Sequence, residues 1–197
     1  MSTHDSESGF SFVDILFTAG LLATLGALVT PPMTRALDEF RTLGAARYLV
    51  SRLQHTRLTA VSRSASTALR FRADDDSFSY AVFVDGNGNG LRTRDIEEGR
   101  DREIRAPERL ADQFPGVEFG TLPGLPPVDS GTTGPGSDPI RIGVGNLLTF
   151  TPLGTSTPGS LYIRGPSDNQ YVIRIFGETG KTRILRFDTR RQLWKRL

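Results

Sequence analysis

Phe10-Ser11-Phe12-Val13-Asp14-Ile15-Leu16-Phe17-Thr18-Ala19-Gly20-Leu21-Leu22-Ala23-Thr24-Leu25-Gly26-Ala27-Leu28-Val29-Thr30-Pro31-Pro32 is the stretch from which the fold follows. Ile15 to Thr30 carries no charge. About 20 apolar residues in a helix cross the hydrocarbon core of a bilayer, so residues 10–32 read as a transmembrane helix. Asp14 stands in its first turn. A carboxylate in apolar surroundings is costly unless something pairs with it, which makes Asp14 a candidate functional residue; the plainer alternative is a carboxylate that reaches the headgroup level. A cleaved secretory signal needs a basic start, a short apolar core and small residues at its end. Residues 1–9 contain no Lys or Arg, and the run ends in Pro31-Pro32. A plain membrane anchor accounts for the length of the run but gives Asp14 no purpose.

Beyond the prolines the pattern turns amphipathic. Ala36, Leu37, Phe40, Leu43, Ala46, Leu49, Val50, Leu53, Ala60 and Val61 recur at spacings of three and four, which predicts that the helix continues over 33–64. Arg41, Arg47, Arg52, Arg57 and Arg63 fall between them, on the expected wet side. Pro31-Pro32 is the place where such a helix bends or loosens. Strand patterns follow at 66–71 and 77–84, with the turn at 73–76. Charges of both signs alternate over 92–105, a solvated and self-compensating surface. Val117–Phe119 reads as a short strand, and 122–139 as an exposed, flexible Pro/Gly/Ser/Thr loop. Further strands are expected at 140–142, 147–150 and 161–163. Tyr171–Phe176 and Thr182–Phe187 flank Gly177-Glu178-Thr179-Gly180 as a hairpin. A long N-terminal helix followed by a mainly antiparallel β-sheet domain over 65–197 is an α+β arrangement.

The chain has 197 residues, a net charge of +2 and no cysteine, so the domain has neither disulfides nor thiolate metal sites. It has two histidines: His4 lies in residues 1–9 ahead of the apolar run, and His55 falls on the expected helix surface, so catalysis by a Ser-His-Asp or metal-histidine grouping is poorly supplied. The reading is therefore non-enzymatic.

Gly9-Phe10-Ser11-Phe12-Val13-Asp14 ahead of an apolar helix resembles the processing signal of type IV pilins and pseudopilins, Gly-Phe-Thr-Leu-x-Glu. The resemblance implies cleavage after Gly9 by a prepilin peptidase and N-methylation of Phe10. It places the family's acidic residue, used in subunit assembly, on Asp14 and its helix proline on Pro31. The chain departs from the family in having Asp for Glu, and a leader of residues 1–9 that carries Asp5 and Glu7 instead of basic residues. Ala45-Ala46-Arg47-Tyr48-Leu49-Val50-Ser51-Arg52-Leu53-Gln54-His55-Thr56-Arg57, Val84–Gly90 and Leu148–Gly154 resemble stretches of the GspH/FimT minor pseudopilins. That resemblance implies the pilin fold and a structural subunit of a type II secretion pseudopilus or a type IV pilus. The partners it implies are other pilins or pseudopilins in a filament. It also implies insertion in a bacterial inner membrane with the sheet domain in the periplasm. A weaker reading is an anchored periplasmic domain unrelated to filaments.

Three local patterns carry alternatives. Asp85-Gly86-Asn87-Gly88-Asn89-Gly90 has oxygen side chains at alternate positions like the start of a calcium loop. Position 96, where such a loop ends in Glu, is Ile96, and a plain turn explains the same residues. Gly180-Lys181-Thr182 lacks the earlier glycine of a phosphate loop, since Ile175 stands there. Lys181, Arg183, Arg186, Arg190, Arg191, Lys195 and Arg196 form a basic hairpin and tail interleaved with Phe187 and Trp194. Such a cluster fits either DNA binding, as in FimT-like pilins that serve DNA uptake, or an edge hairpin guarded by charge.

Overall fold

The structure, a computed structural model, describes residues 11–74, 77–129 and 131–197, without the side chains of 27–32 and 144. The cleavage site expected at Gly9 and Phe10 lies outside the described residues. The chain divides into two compact units, one ending at Leu37 and the other comprising Asp38–Leu197. Helix α1 (Phe12–Arg63) begins in the first and ends in the second, and its helical assignment runs through positions 31 and 32.

In the first unit α1 starts on a capping box. Ser11 Oγ accepts from the Val13 N–H, and the Asp14 carboxylate reaches back to the Ser11 N–H at 3.3 Å. The hydroxyls of Thr18 and Thr24 donate to carbonyls of their own helix, so neither needs a polar neighbour. Phe12, Ile15, Leu16, Phe17, Leu22 and Leu25 are all exposed. Among the described residues no helical stretch is long and apolar enough to cross a membrane. The uncharged run read from the sequence also contains 27–30, whose side chains are not described.

In the second unit α1 ends with Ser64 in the left-handed region (φ 50°), where the Ala65 N–H bonds to the Ala60 carbonyl and the Ser64 N–H to that of Val61. Two antiparallel sheets follow. The first is ordered β3-β2-β1-β6, from β1 (Thr67–Asp74), β2 (Ser77–Val84), β3 (Arg102–Arg109) and β6 (Leu147–Phe150). The second is ordered β10-β9-β8-β7-β4, from β4 (Glu118–Phe119), β7 (Gly159–Arg164), β8 (Gln170–Phe176), β9 (Lys181–Asp188) and β10 (Leu193–Arg196). Strand β5 (Ile140–Arg141) pairs with β7 beyond β4. Short helices α2 (Thr93–Glu97) and α3 (Leu110–Gln113) flank β3.

The buried stripe of α1 is Thr42, Ala45, Ala46, Leu49, Leu53, Thr56 and Ala60. It meets one face of each sheet: Leu69, Phe71, Tyr80, Leu148 and Phe150 from the first, and Leu161, Ile163, Tyr171, Ile173 and Ile175 from the second. Burying a leucine such as Leu49 or Leu53 contributes about 2 kcal/mol. On the far face of the first sheet Ile96 of α2 covers Ala68, Ala81 and Phe83. On the far face of the second, Leu125 packs with Tyr162, Val172, Phe187 and Trp194.

Four sequence readings are corrected. Ala36, Leu37, Phe40 and Val61, placed on the apolar stripe, are exposed, because the stripe that meets the sheets begins at Thr42 and is rotated toward the small residues. Arg52 and Arg57, placed on the wet side, are only partly exposed and find partners in the sheet domain. The charged stretch 92–105 is not all surface loop: it contains α2 and the start of β3, with Asp95, Ile96 and Asp101 buried. The 122–139 loop is not wholly exposed, because Leu125 is buried and the Trp194 Nε1–H donates to the Pro126 carbonyl at 3.0 Å.

The helix and the second sheet touch most closely at Thr42 and Gly165. A Cβ on Gly165 would overlap the Thr42 side chain, including its Cβ. Gly165→Ala is expected to lower stability by about 1–3 kcal/mol. This is measured as a lower thermal midpoint of the detergent-solubilised chain, with Thr42→Ala in the same background recovering part of the loss.

Candidate functional site

The polar chemistry of the second unit gathers first at Glu108. Its Oε2 accepts from the Tyr48 hydroxyl at 2.8 Å and the Tyr80 hydroxyl at 3.1 Å. Its Oε1 accepts from Arg52 Nη2 at 3.0 Å and Arg105 Nη1 at 3.4 Å. The Arg52 guanidinium lies 4.7 Å from the Tyr48 ring centroid, and Gln113 Nε2 donates to the Tyr48 hydroxyl at 2.7 Å. Burial alone would raise the Glu108 pKa, but the Tyr48 hydrogen bond and the Arg52 charge outweigh it and hold the carboxyl below its ordinary 4.5. Burial, followed by the neighbouring Glu108 charge, pushes the Tyr80 hydroxyl upward, so it stays a donor. The network joins α1 to β2 and β3. Tyr48, Arg52 and Tyr80 lie 28 to 60 residues from Glu108 in the chain, a separation that gives no local sequence signal.

Two stretches quoted from the sequence meet at the end of α1. Arg57 Nε donates to the Gly154 carbonyl at 2.9 Å. Gly180, at φ 60°, sits so close that a Cβ there would strike the Gly154 carbonyl and Arg57. The hairpin turn is thereby clamped to the helix.

The Asp85 loop is a turn. Asp85 Oδ1 accepts from the N–H groups of Asn87 and Gly88, and Oδ2 from that of Gly90. Asn87 Oδ1 accepts from the Asn89 N–H, and Asn89 Nδ2 donates to Asp95. These bonds account for the loop's conformation without a bound ion. Among the described residues no group of three or more His, Asp or Glu side chains is disposed to hold a metal ion.

The basic hairpin and tail are dispersed. Arg186 forms a two-pronged pair with Glu39 of α1, with Nη2 to Oε2 at 3.1 Å. Lys195 Nζ lies 2.5 Å from Asp188 Oδ2, and the Arg190 and Arg191 backbone N–H groups donate to Asp188 Oδ1. The Lys195 contact and then these N–H groups pull the Asp188 pKa down to about 2. The rings of Phe187 and Trp194, 5.1 Å apart, pack against the sheet. Lys181, Arg183 and Arg196 border a groove between α1 and the hairpin.

Comparison with known proteins matches residues 45–179 to the family described as "Type II transport protein GspH". The chain belongs to the GspH family. A similar solved structure is the minor pseudopilin EpsH from the type 2 secretion system of Vibrio cholerae, 16% identical, covering 74% of this chain and 97% of that one, with a TM-score of 0.43. No curated protein matches the chain. The GspH match contains Tyr48, Arg52, Arg57, Glu108 and Gly154 and stops at Thr179. The Glu108 network and the Arg57 clamp thus belong to the matched region. Asp14 and the basic residues from Lys181 onward lie outside it.

Because the folded Glu108 pKa is depressed, its contribution is present above about pH 4.5 and is lost as pH falls through the lower folded value. Glu108→Gln is expected to cost about 1–3 kcal/mol near neutral pH and to flatten the acid limb of the melting-temperature profile. Thermal melts between about pH 3 and pH 7 measure both.

Proposed function

We propose that this GspH-family chain is a minor pseudopilin with a structural, non-enzymatic role. Residues 10–32 anchor it in the inner membrane, the sheet domain lies in the periplasm, and it assembles with other pseudopilins into the pseudopilus of a type II secretion system. The observation that carries this reading is the apolar surface of α1 in the first unit, where Phe12, Val13, Phe17 and Leu22 are each about 70% exposed. Such a patch needs lipid or neighbouring helices to cover it. Family membership supports the second half of the reading.

Cleavage after Gly9 would free an amine at Phe10. The Asp14 carboxylate, which already reaches back toward the Ser11 N–H, is a suitable partner for an amine of that kind on a neighbouring subunit. Such a pair, formed only between subunits, makes entry into the filament depend on both processing and the acid. The DNA-uptake alternative draws no comparable support, since Phe187 and Trp194 are committed to packing and Arg186 and Lys195 to carboxylates.

Mass spectrometry of the chain extracted from bacterial membranes is expected to show residues 1–9 removed and Phe10 methylated. Asp14→Ala is expected to be processed normally but to fall at least about tenfold in the sheared filament fraction. A chain that still begins at Met1, or normal incorporation of the Asp14→Ala protein, would overturn the proposal.

A further inference from the structure

A groove of about 780 Å³ opens between α1 and the β8–β9 hairpin, wholly within the unit Asp38–Leu197. Leu43 and Val50 of α1 and Ile175 and Ile184 of the sheet give it an apolar lining continuous with the core. Arg47, Lys181, Arg183 and Arg196 also line it. Among the described residues none of these four has a carboxylate partner, whereas the nearby Arg174, Arg186 and Lys195 are paired with Asp129, Glu39 and Asp188. Glu178 is the acidic residue of the lining. The groove therefore combines apolar surface with an excess of positive charge. One cation is held in place: the Arg183 guanidinium lies 5.1 Å from the Phe176 ring centroid, which leaves its outward N–H groups for a carboxylate.

We propose that this groove docks a segment of a partner polypeptide that presents carboxylates beside apolar side chains. Such a segment covers Leu43 and Val50 and neutralises the four cations at once, which neither water nor a free anion does. Nucleic acid satisfies the charge but not the apolar lining. Phe176, the aromatic ring in the groove, already carries Arg183 at 5.1 Å and Arg174 at 5.8 Å, so a base stacking there competes with two guanidinium groups. The docking goes beyond the filament reading, because the groove uses neither Asp14 nor the apolar run. Either reading can fail without the other.

The test is fluorescence anisotropy with the full chain in detergent micelles. The probes are a labelled Glu/Leu peptide, its Lys/Leu counterpart and a single-stranded oligonucleotide, each corrected for binding to empty micelles. The Glu/Leu peptide is expected to bind saturably and more tightly than either other probe. Arg47→Glu with Arg183→Glu is expected to weaken it about tenfold or more, and the milder Arg47→Gln with Arg183→Gln to weaken it less. Arg190→Glu with Arg191→Glu, equally basic but outside the groove, is expected to change it by less than about twofold. Unchanged thermal melts establish that the variants are folded. Absence of saturation, equal weakening by the tail variant, or tighter binding of the oligonucleotide would each overturn the proposal.

Discussion

The stripe from Thr42 to Ala60 decides where everything in the second unit goes. Its members are small or unbranched at the closest approaches, with Thr42 against Gly165 and Ala45 and Ala46 fully buried. A helix that offers alanines lets sheet backbones come close, and the leucines at 49 and 53 then fill the space between them. Both sheets present an alternating face to this stripe, so one helix seals two sheets that share no strand. Each sheet is left with a second face, and the chain covers both with short segments: α2 through Ile96 on one, and the loop bearing Leu125 on the other.

A purely apolar seam would leave the rotation of the helix loosely defined. Three polar contacts fix it: Glu108 holds Tyr48 and Arg52, the Gly154 carbonyl holds Arg57, and Glu39 holds Arg186. They are spread along α1 from residue 39 to residue 57, and each has a partner on a different strand or turn. Removing one member strands the others in partly buried positions, which costs more than the bond itself contributes. The Glu108 network lies within the region matched to the family, as does the Arg57 clamp.

Elements with strong period were legible in the sequence, and those built on charged residues were not. The hairpin 171–187 and strands β1 and β2 follow from alternation of apolar and polar residues, and α1 from its three-and-four spacing. Strand β3 and helix α2 were hidden because charged residues take more than half of their positions, and an edge strand with one bulged partner carries no apolar signature. Strand β10 was hidden for a related reason: Leu193, Lys195 and Arg196 are exposed, and only pairing with β9 makes the segment extended. For the candidate site, the basic residues were legible as a cluster, but their pairing was not. Glu39, which engages Arg186, lies 147 residues away, and no spacing rule links the two. Asp85 shows the converse. Its alternating Asn and Gly neighbours suggest a cation loop as readily as a turn, and the spacing does not reveal that the Asp85 carboxylate accepts the N–H groups of Asn87, Gly88 and Gly90.

What the second unit does with its apolar surface, the first unit does not. Phe12 to Leu25 is helical, capped by its own Ser11 and Asp14, and its threonine hydroxyls are satisfied internally, yet its large side chains face outward. A helix whose large apolar side chains face outward is best served by surroundings that are themselves apolar. Lipid meets that condition for a single chain, and packed copies of the same kind of helix meet it for an assembly. The two environments differ at one point, the carboxylate of Asp14. In lipid it gains from reaching the headgroup level, whereas among packed helices it gains from an amine on a neighbour. On the proposed reading, a side chain tolerated in the first setting and compensated in the second would bias the chain toward leaving the membrane for the filament.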